Sequence, residues 1–262
     1  MELRVDGKRV YAASGGREFD PALPAAVFIH GAGMDHTVWA LQTRSFAHRG
    51  RSVLALDLPG HGRSEGPSLP SIQAMGAWVL AVLDAAHAAQ ARIAGHSMGS
   101  LVALEAAAQG ASRVEGLALL GFAPEIPVHP DLLATARAGE HAAIEMMVAW
   151  SFGARTRFGA TPAPGLWLTG EAMRLLERAQ VPSLAGDLAA CDAYRGAAQA
   201  AAAVRCPTLF LLGEEDRMTP AAKAAAFAER IAGAEIVRLG GVGHMLPIED
   251  PIATLAVLRR VL

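Results

Sequence analysis

Five short apolar runs, each halted by a glycine or an aspartate, constrain this chain more than any other feature. Ala26-Val27-Phe28-Ile29-His30 stops at Gly31, Val53-Leu54-Ala55-Leu56 at Asp57, Ala91 to Ala94 at Gly95, Val114 to Leu120 at Gly121, and Thr208 to Leu212 at Gly213. A continuous apolar run of strand length suits a strand buried on both faces, as in a parallel sheet. Between the first four lie Ala-rich segments of helical length, near 37–48, 71–89 and 98–109. Strands alternating with helices predict right-handed βαβ units. At the start, Glu2 to Val5 and Lys8 to Ala13 flank Asp6-Gly7, a hairpin signal. After the fifth run come a helix near 220–231, a strand at 235–239 and a helix near 251–262. The expected fold is α/β, a mostly parallel eight-stranded sheet flanked by helices.

The alternation breaks from Phe122 to Ala203, where no buried strand is expected. This stretch reads as Ala-rich helices interrupted by Pro124, Pro127, Pro130, Pro162, Pro164 and Pro182, with the alanine run at 197–203 closing it. The expected organisation is an αβ core, 1–121 and 204–262, with a helical cap, 122–203, inserted after the sixth strand.

Composition excludes several function classes. Apolar residues are 52% and charged residues 18%, which rules out a disordered chain. Lys+Arg is 23 against Asp+Glu 25, a net charge of −2, so no basic excess points to nucleic acid. The mean hydropathy of +0.29 raises the membrane question. A spanning helix needs about 20 consecutive apolar residues, and stretches such as 77–86 are cut by Asp84 or by Gly, His and Gln, so no span is expected. Met1 to Gly7 has no basic start followed by an apolar stretch, so no secretory leader is expected. Cys191 and Cys206 have neither metal-ligand nor CxxC spacing. A cytoplasmic protein with two incidental thiols is the expectation.

The pattern G-x-S-x-G occurs at Gly95-His96-Ser97-Met98-Gly99 and at Gly62-Arg63-Ser64-Glu65-Gly66. Context separates them. A nucleophile elbow needs a strand before and a helix after, so that the serine hydroxyl is lifted clear of the sheet. Ser97 follows Ala91 to Ala94 and precedes Leu101 to Ala107, whereas Ser64 follows Pro-Gly-His-Gly and runs into Pro67. Ser97 is therefore the candidate nucleophile and Ser64 a loop serine. A serine needs a general base, and the base an orienting acid. Of nine histidines, His244 lies after the last strand and before the last helix, at the carboxyl edge of a parallel sheet, where such sites form. His30 and His61 also follow strands, and His96, beside Ser97, is expected to point elsewhere. Glu214, Glu215 and Asp216 follow the strand ending at Leu212; Asp216, at the end of that turn, is the preferred acid. Asp57 is a rival, read as orienting its own loop.

With the order Ser97, Asp216, His244, the chain resembles the α/β-hydrolase superfamily over almost its whole length. The residues that carry the resemblance are His30-Gly31-Ala32-Gly33, Asp57 to Ser64, the Ser97 elbow, Gly213 to Asp216, and Gly243-His244. The resemblance implies an oxyanion hole built from the backbone N–H groups of Ala32 and Met98. It also implies that Ser64 belongs to a structural loop. Family members that open epoxides or remove halides carry Asp at the elbow, so Ser97 argues against both activities.

The expected activity is hydrolysis of a carboxylic ester of small to medium, largely apolar character, through an acyl-enzyme, with no metal or organic cofactor. Met146, Trp150, Phe152 and Trp167 of the cap, with Met245, are candidate pocket residues; Met147 and Phe158 are also expected to face inward. The same triad resembles that of meta-cleavage C–C bond hydrolases, which remain the alternative. A more distant one is a small-ligand receptor retaining residual hydrolysis.

Overall fold

The computed structural model describes residues 1–160, 165–179 and 181–262, so Pro162 and Pro164 lie outside the described residues. Eight strands form one sheet: β1 (Glu2–Val5), β2 (Lys8–Ala13), β3 (Ala25–Ile29), β4 (Ser52–Leu56), β5 (Ala91–His96), β6 (Val114–Leu120), β7 (Thr208–Gly213) and β8 (Glu235–Leu239). Their spatial order is β1-β2-β4-β3-β5-β6-β7-β8. β1–β2 and β2–β4 pair antiparallel, and all later pairs are parallel. β3, β4 and β7 are buried at every residue, as their unbroken apolar runs require.

The register gathers the functional loops. Ile29 of β3 pairs with Leu56 of β4 and with Gly95 of β5. His96 pairs with Leu120, Leu120 with Leu211, and Gly213 with Leu239. His30, Asp57, Ser97, Gly121, Glu214 and Gly240 therefore all leave the sheet at one carboxyl edge.

Helices α1 (Ala40–Ala47), α2 (Ile72–Ala85) and α3 (Met98–Gln109) follow β3, β4 and β5. Ser71 caps α2 by accepting the Ala74 N–H at 3.2 Å. This helix ends before the expected 89. His87 takes φ 56°, and the Ala88 N–H turns back to Leu83 O at 2.9 Å, closing the last turn. Between β6 and β7 the described residues form α4 (Pro130–Ala138), α5 (Ala142–Ser151), α6 (Ala154–Arg157), α7 (Leu168–Glu177), α8 (Val181–Ala193) and α9 (Ala197–Ala203). The insertion's helices pack on one another, α4 against α5 and α8, and α5 against α7. By contrast α9 rests on α3, where its small side chains allow close approach, and joins the layer covering the sheet. Then α10 (Ala221–Ala228), α11 (Leu246–Glu249) and α12 (Pro251–Leu258) complete the chain. No helix among the described residues is long and apolar enough to cross a membrane.

Candidate active site

Ser97 sits at the junction of β5 and α3 with φ 56° and ψ −121°. A non-glycine residue held there costs of order 1–3 kcal/mol, and such strain persists only where the surroundings over-determine it. They do so here. A Cβ on Gly95 would run into Gly99 O, and a Cβ on Gly99 into Ile29 O, so the turn closes only over two glycines. Ser97 N–H donates to Leu120 O at 2.9 Å, and Ser97 itself is partly exposed beside buried neighbours.

His244 lies in the loop between β8 and α11, with its side chain buried. Its Nδ1 is 2.8 Å from Asp216 Oδ2, and its Nε2 has no hydrogen-bond partner. The ring lies against the elbow. A Cβ on Gly121, the residue after Leu120, would stand 3.1 Å from His244 Cε1. The His96 ring centroid is 4.9 Å from that of His244, and His96 Nε2 is 2.8 Å from His244 O. His96 thus points at His244, not elsewhere. Burial, with the His244 charge adding to it, lowers its pKa to about 3. It is a neutral ring that donates Nε2–H to the His244 carbonyl.

Asp216 is fixed from three sides. Its Oδ1 accepts the N–H groups of Met218 (2.9 Å) and Thr219 (2.8 Å), and its Oδ2 accepts the Thr219 hydroxyl at 2.7 Å. Burial alone would raise the Asp216 carboxyl. The His244 charge and the bonds from His244 and Thr219 outweigh it and hold the group below the usual carboxylate range. Asp57 serves another site: it accepts His36 N–H and His36 Nδ1 on Oδ1 (both 2.8 Å) and Arg63 N–H on Oδ2 (2.8 Å). Ser64 Oγ donates to Asp57 O at 2.7 Å and accepts the Tyr11 N–H at 2.9 Å, so this serine ties a loop to β2. Asp35, His36 and Asp57 could bring ligand atoms within 4.8 Å of one another. Their internal bonds already occupy Asp57.

The sequence did not point to Thr219 or Glu249, although an Asp whose carboxylate accepts N–H groups two and three residues on is a recognisable turn signal. Glu249 is fully buried and accepts Gly243 N–H (3.0 Å) and Met245 N–H (3.1 Å) on Oε1, and Gly153 N–H (2.9 Å) on Oε2. The two amides flanking His244 are thereby tied to the chain just after α5. His244 N–H adds a bond to Ser151 O at 2.7 Å. Burial pushes the Glu249 carboxyl up, and these N–H bonds offset only part of the rise.

The five candidate pocket residues do not converge. Phe152 and Met245 are buried core, and Met146 and Trp150 are half-buried. Trp167 corrects the expectation: it is 72% exposed, with its ring folded over Gly170. Phe158, at 86% exposed, also faces outward, whereas Met147 is buried. Phe158 follows α6 and Trp167 precedes α7.

Comparison with known proteins agrees with this architecture. Residues 26–257 match the alpha/beta hydrolase family, and the chain belongs to it. An enol-lactonase from Burkholderia xenovorans LB400 superposes with a TM-score of 0.87 at 26% identity, covering 99% of this chain and 98% of that one. The 2-hydroxymuconate semialdehyde hydrolase of Pseudomonas sp. strain CF600 is 29% identical over 243 residues, 85% of this chain and 81% of that protein. A dihydrolipoyllysine-residue acetyltransferase component of the acetoin cleaving system of Pseudomonas putida is 40% identical, but over 98 residues only. That match spans 37% of this chain and 26% of the relative.

Proposed function

We propose that this hydrolase cleaves a carboxylic ester through an acyl-enzyme on Ser97. The observation that carries the reading is the Asp216–His244 pair, whose ring packs against that of His96, the residue before Ser97, and whose Nε2 has no hydrogen-bond partner. Ser97 Oγ attacks the ester carbonyl carbon while His244 Nε2 takes the hydroxyl proton. Asp216 holds Nδ1–H and stabilises the imidazolium that forms. The carbonyl electrons move onto oxygen, which the Ala32 and Met98 N–H groups receive. Met98 opens α3, where the first N–H groups lack partners within the helix, and Ala32 lies in the loop whose Gly31 approaches Ser97. As the tetrahedral adduct collapses, His244 returns the proton to the departing alkoxide. Water, deprotonated by His244, then releases the acid. The route uses no cofactor.

The substrate reading rests on charge. No lysine or arginine among the described residues is buried. No fully buried Lys or Arg therefore stands ready to pair a desolvated substrate carboxylate. A cavity of about 200 Å³ lies among α4, α5, α7 and α8, lined by Ala143, Ile144, Leu176 and Leu184 but also by Glu140, His141 and Glu177, and by none of Ser97, Asp216 and His244. Leu176 and Leu184 of its wall also pack beside Gly33 in the loop after β3. Residues 122–203 would then act as the cap, with α9 as its foot on the core. Two thiols without a disulfide fit a cytoplasmic setting.

A panel of p-nitrophenyl esters of increasing acyl length tests the reading. Turnover should be greatest on the shorter acyl chains and absent in Ser97→Ala. A vinylogous diketo acid belongs in the same panel, because of the similarity to the semialdehyde hydrolase. Preferential cleavage of that acid would move the assignment to C–C bond hydrolysis.

A further inference from the structure

A second buried His–carboxylate pair joins the helical insertion to the loop after β3. Asp187, on α8, is fully buried. Its Oδ2 accepts the Gly33 N–H at 2.9 Å and faces His61 Nε2 at 2.8 Å. The other ring nitrogen of His61 faces Pro59 O at 3.1 Å, so both ring nitrogens meet acceptors and both carry hydrogen. The His61 ring stands 4.9 Å from that of His30. His30 accepts Leu58 N–H on Nε2 at 3.1 Å and donates from Nδ1 to Gly31 O at 2.8 Å. The Gly31–Gly33 loop is therefore gripped at both ends, at Gly31 O by His30 and at Gly33 N–H by Asp187. The Ala32 amide lies between the two grips. α8 adds a further bond, Ser183 Oγ to Gly60 O at 2.7 Å.

Stability is a poor explanation for such a pair. Burying two charges costs about as much as their attraction returns, and Asp187 Oδ1 is buried without any partner. We propose that Asp187 is a positioning residue through which the helical insertion sets the aim of the Ala32 N–H in the oxyanion hole. This rests on the reading of Ala32 as an oxyanion donor. A donor that is misdirected rather than deleted loses less than the roughly 10²–10³ in rate found on deletion. The substrate carbonyl in its ground state draws little on that donor, so kcat falls while KM stays.

The test uses the full chain and p-nitrophenyl butyrate, with kcat expressed per active site titrated by a fluorophosphonate, so that misfolded protein does not count. Asp187→Asn keeps one acceptor oxygen and should lower kcat about tenfold, and Asp187→Ser, which cannot reach Gly33, about a hundredfold, with KM within a factor of about two in each. An unchanged kcat per titrated site, or an effect confined to KM, overturns the proposal. If the serine variant does not fold, the asparagine variant carries the test. A second readout needs no activity. Deuterium exchange at the Gly33 amide should accelerate at least about tenfold in Asp187→Asn, the loss of roughly one charge-assisted bond, while the amides of β5 keep their protection. Unchanged Gly33 exchange overturns the proposal. Failure of wild-type protein to hydrolyse any ester would instead overturn the ester reading, and the exchange arm would still show whether Asp187 holds the loop.

Discussion

His244–Asp216 and His61–Asp187 are both buried, and both have a nitrogen-to-oxygen distance of 2.8 Å. They differ at the second ring nitrogen. In His61 it faces Pro59 O, and the ring is saturated. In His244 it has no partner, and the ring packs against that of His96, the residue before Ser97. A ring with both nitrogens engaged has no lone pair free for a substrate proton, whereas a ring with one free nitrogen can accept and return one. A third pair, His36–Asp57, is partly open to solvent and spends its carboxylate on backbone N–H groups, which organises a loop. Thus the free nitrogen, not the His–Asp contact, distinguishes the proposed general base.

The sharpest way to break this comparison is to remove the charge from each carboxylate in turn. Asp216→Asn should reduce kcat by about 10⁴, the scale at which losing the imidazole's orienting acid acts in a serine triad, with the fold intact by circular dichroism. Asp57→Asn should leave kcat per titrated site within about threefold but lower unfolding stability by about 3 kcal/mol in urea titrations. The reverse pattern would transfer the acid role to Asp57. A smaller effect is expected at the residue that braces Asp216. Thr219→Val removes one hydrogen bond to a charged group, worth about 1.5–3 kcal/mol. It should cost at least about tenfold in kcat, with Thr219→Ser restoring most of it. Glu249→Gln keeps the shape but weakens the grip on Gly243 and Met245. A fall in Tm of about 4 °C is expected, corresponding to roughly 1–2 kcal/mol in a chain of this size.

A pH slope probes the buried rings beside both pairs. Burial holds His96 near a pKa of about 3 and His30 near about 4, both below the ordinary histidine value of 6.5. A group depressed on folding contributes stability that is complete above its unfolded pKa and is lost as pH falls. From about 6.5 downward each ring should therefore cost about 1.4 kcal/mol per pH unit. His61 has the opposite sign. Burial lowers its pKa, but the Asp187 bond and charge outweigh burial and raise it, so its contribution is complete below 6.5 and is lost as pH rises through the folded value. Urea midpoints measured from pH 7 to pH 5 should fall, and His96→Gln should flatten the slope if the variant remains folded. A flat wild-type profile would contradict the neutral-histidine assignment.

The parts legible in the sequence are those whose physics is local. A parallel strand buried on both faces shows as an unbroken apolar run, and the elbow shows as glycines two residues either side of Ser97. The loop carrying His244 shows because it separates the last strand pattern from the last helix. What the sequence conceals depends on partners far along the chain. His61 and Asp187 are 126 residues apart, and Gly153 and Glu249 are 96. Nothing near Asp187 distinguishes it from a solvated helix residue until α8 is folded against the Gly31–Gly33 loop. His96 looked like a neighbour of the nucleophile that turns away. Its real partner, the His244 carbonyl, is 148 residues on. Trp167 failed for the opposite reason: aromatic character suggested a pocket, yet its ring folds over Gly170, where a residue with a side chain would collide.

Covalent labelling of the serine tests the central claim most directly. A fluorophosphonate incubated with the protein, followed by proteolysis and peptide mass spectrometry, should place one adduct on Ser97. Labelling should be lost in Ser97→Ala and slowed by at least about a hundredfold in His244→Ala, as expected when the base that activates the hydroxyl is removed. An adduct on Ser64, or esterase activity that survives in Ser97→Ala, would contradict the assignment.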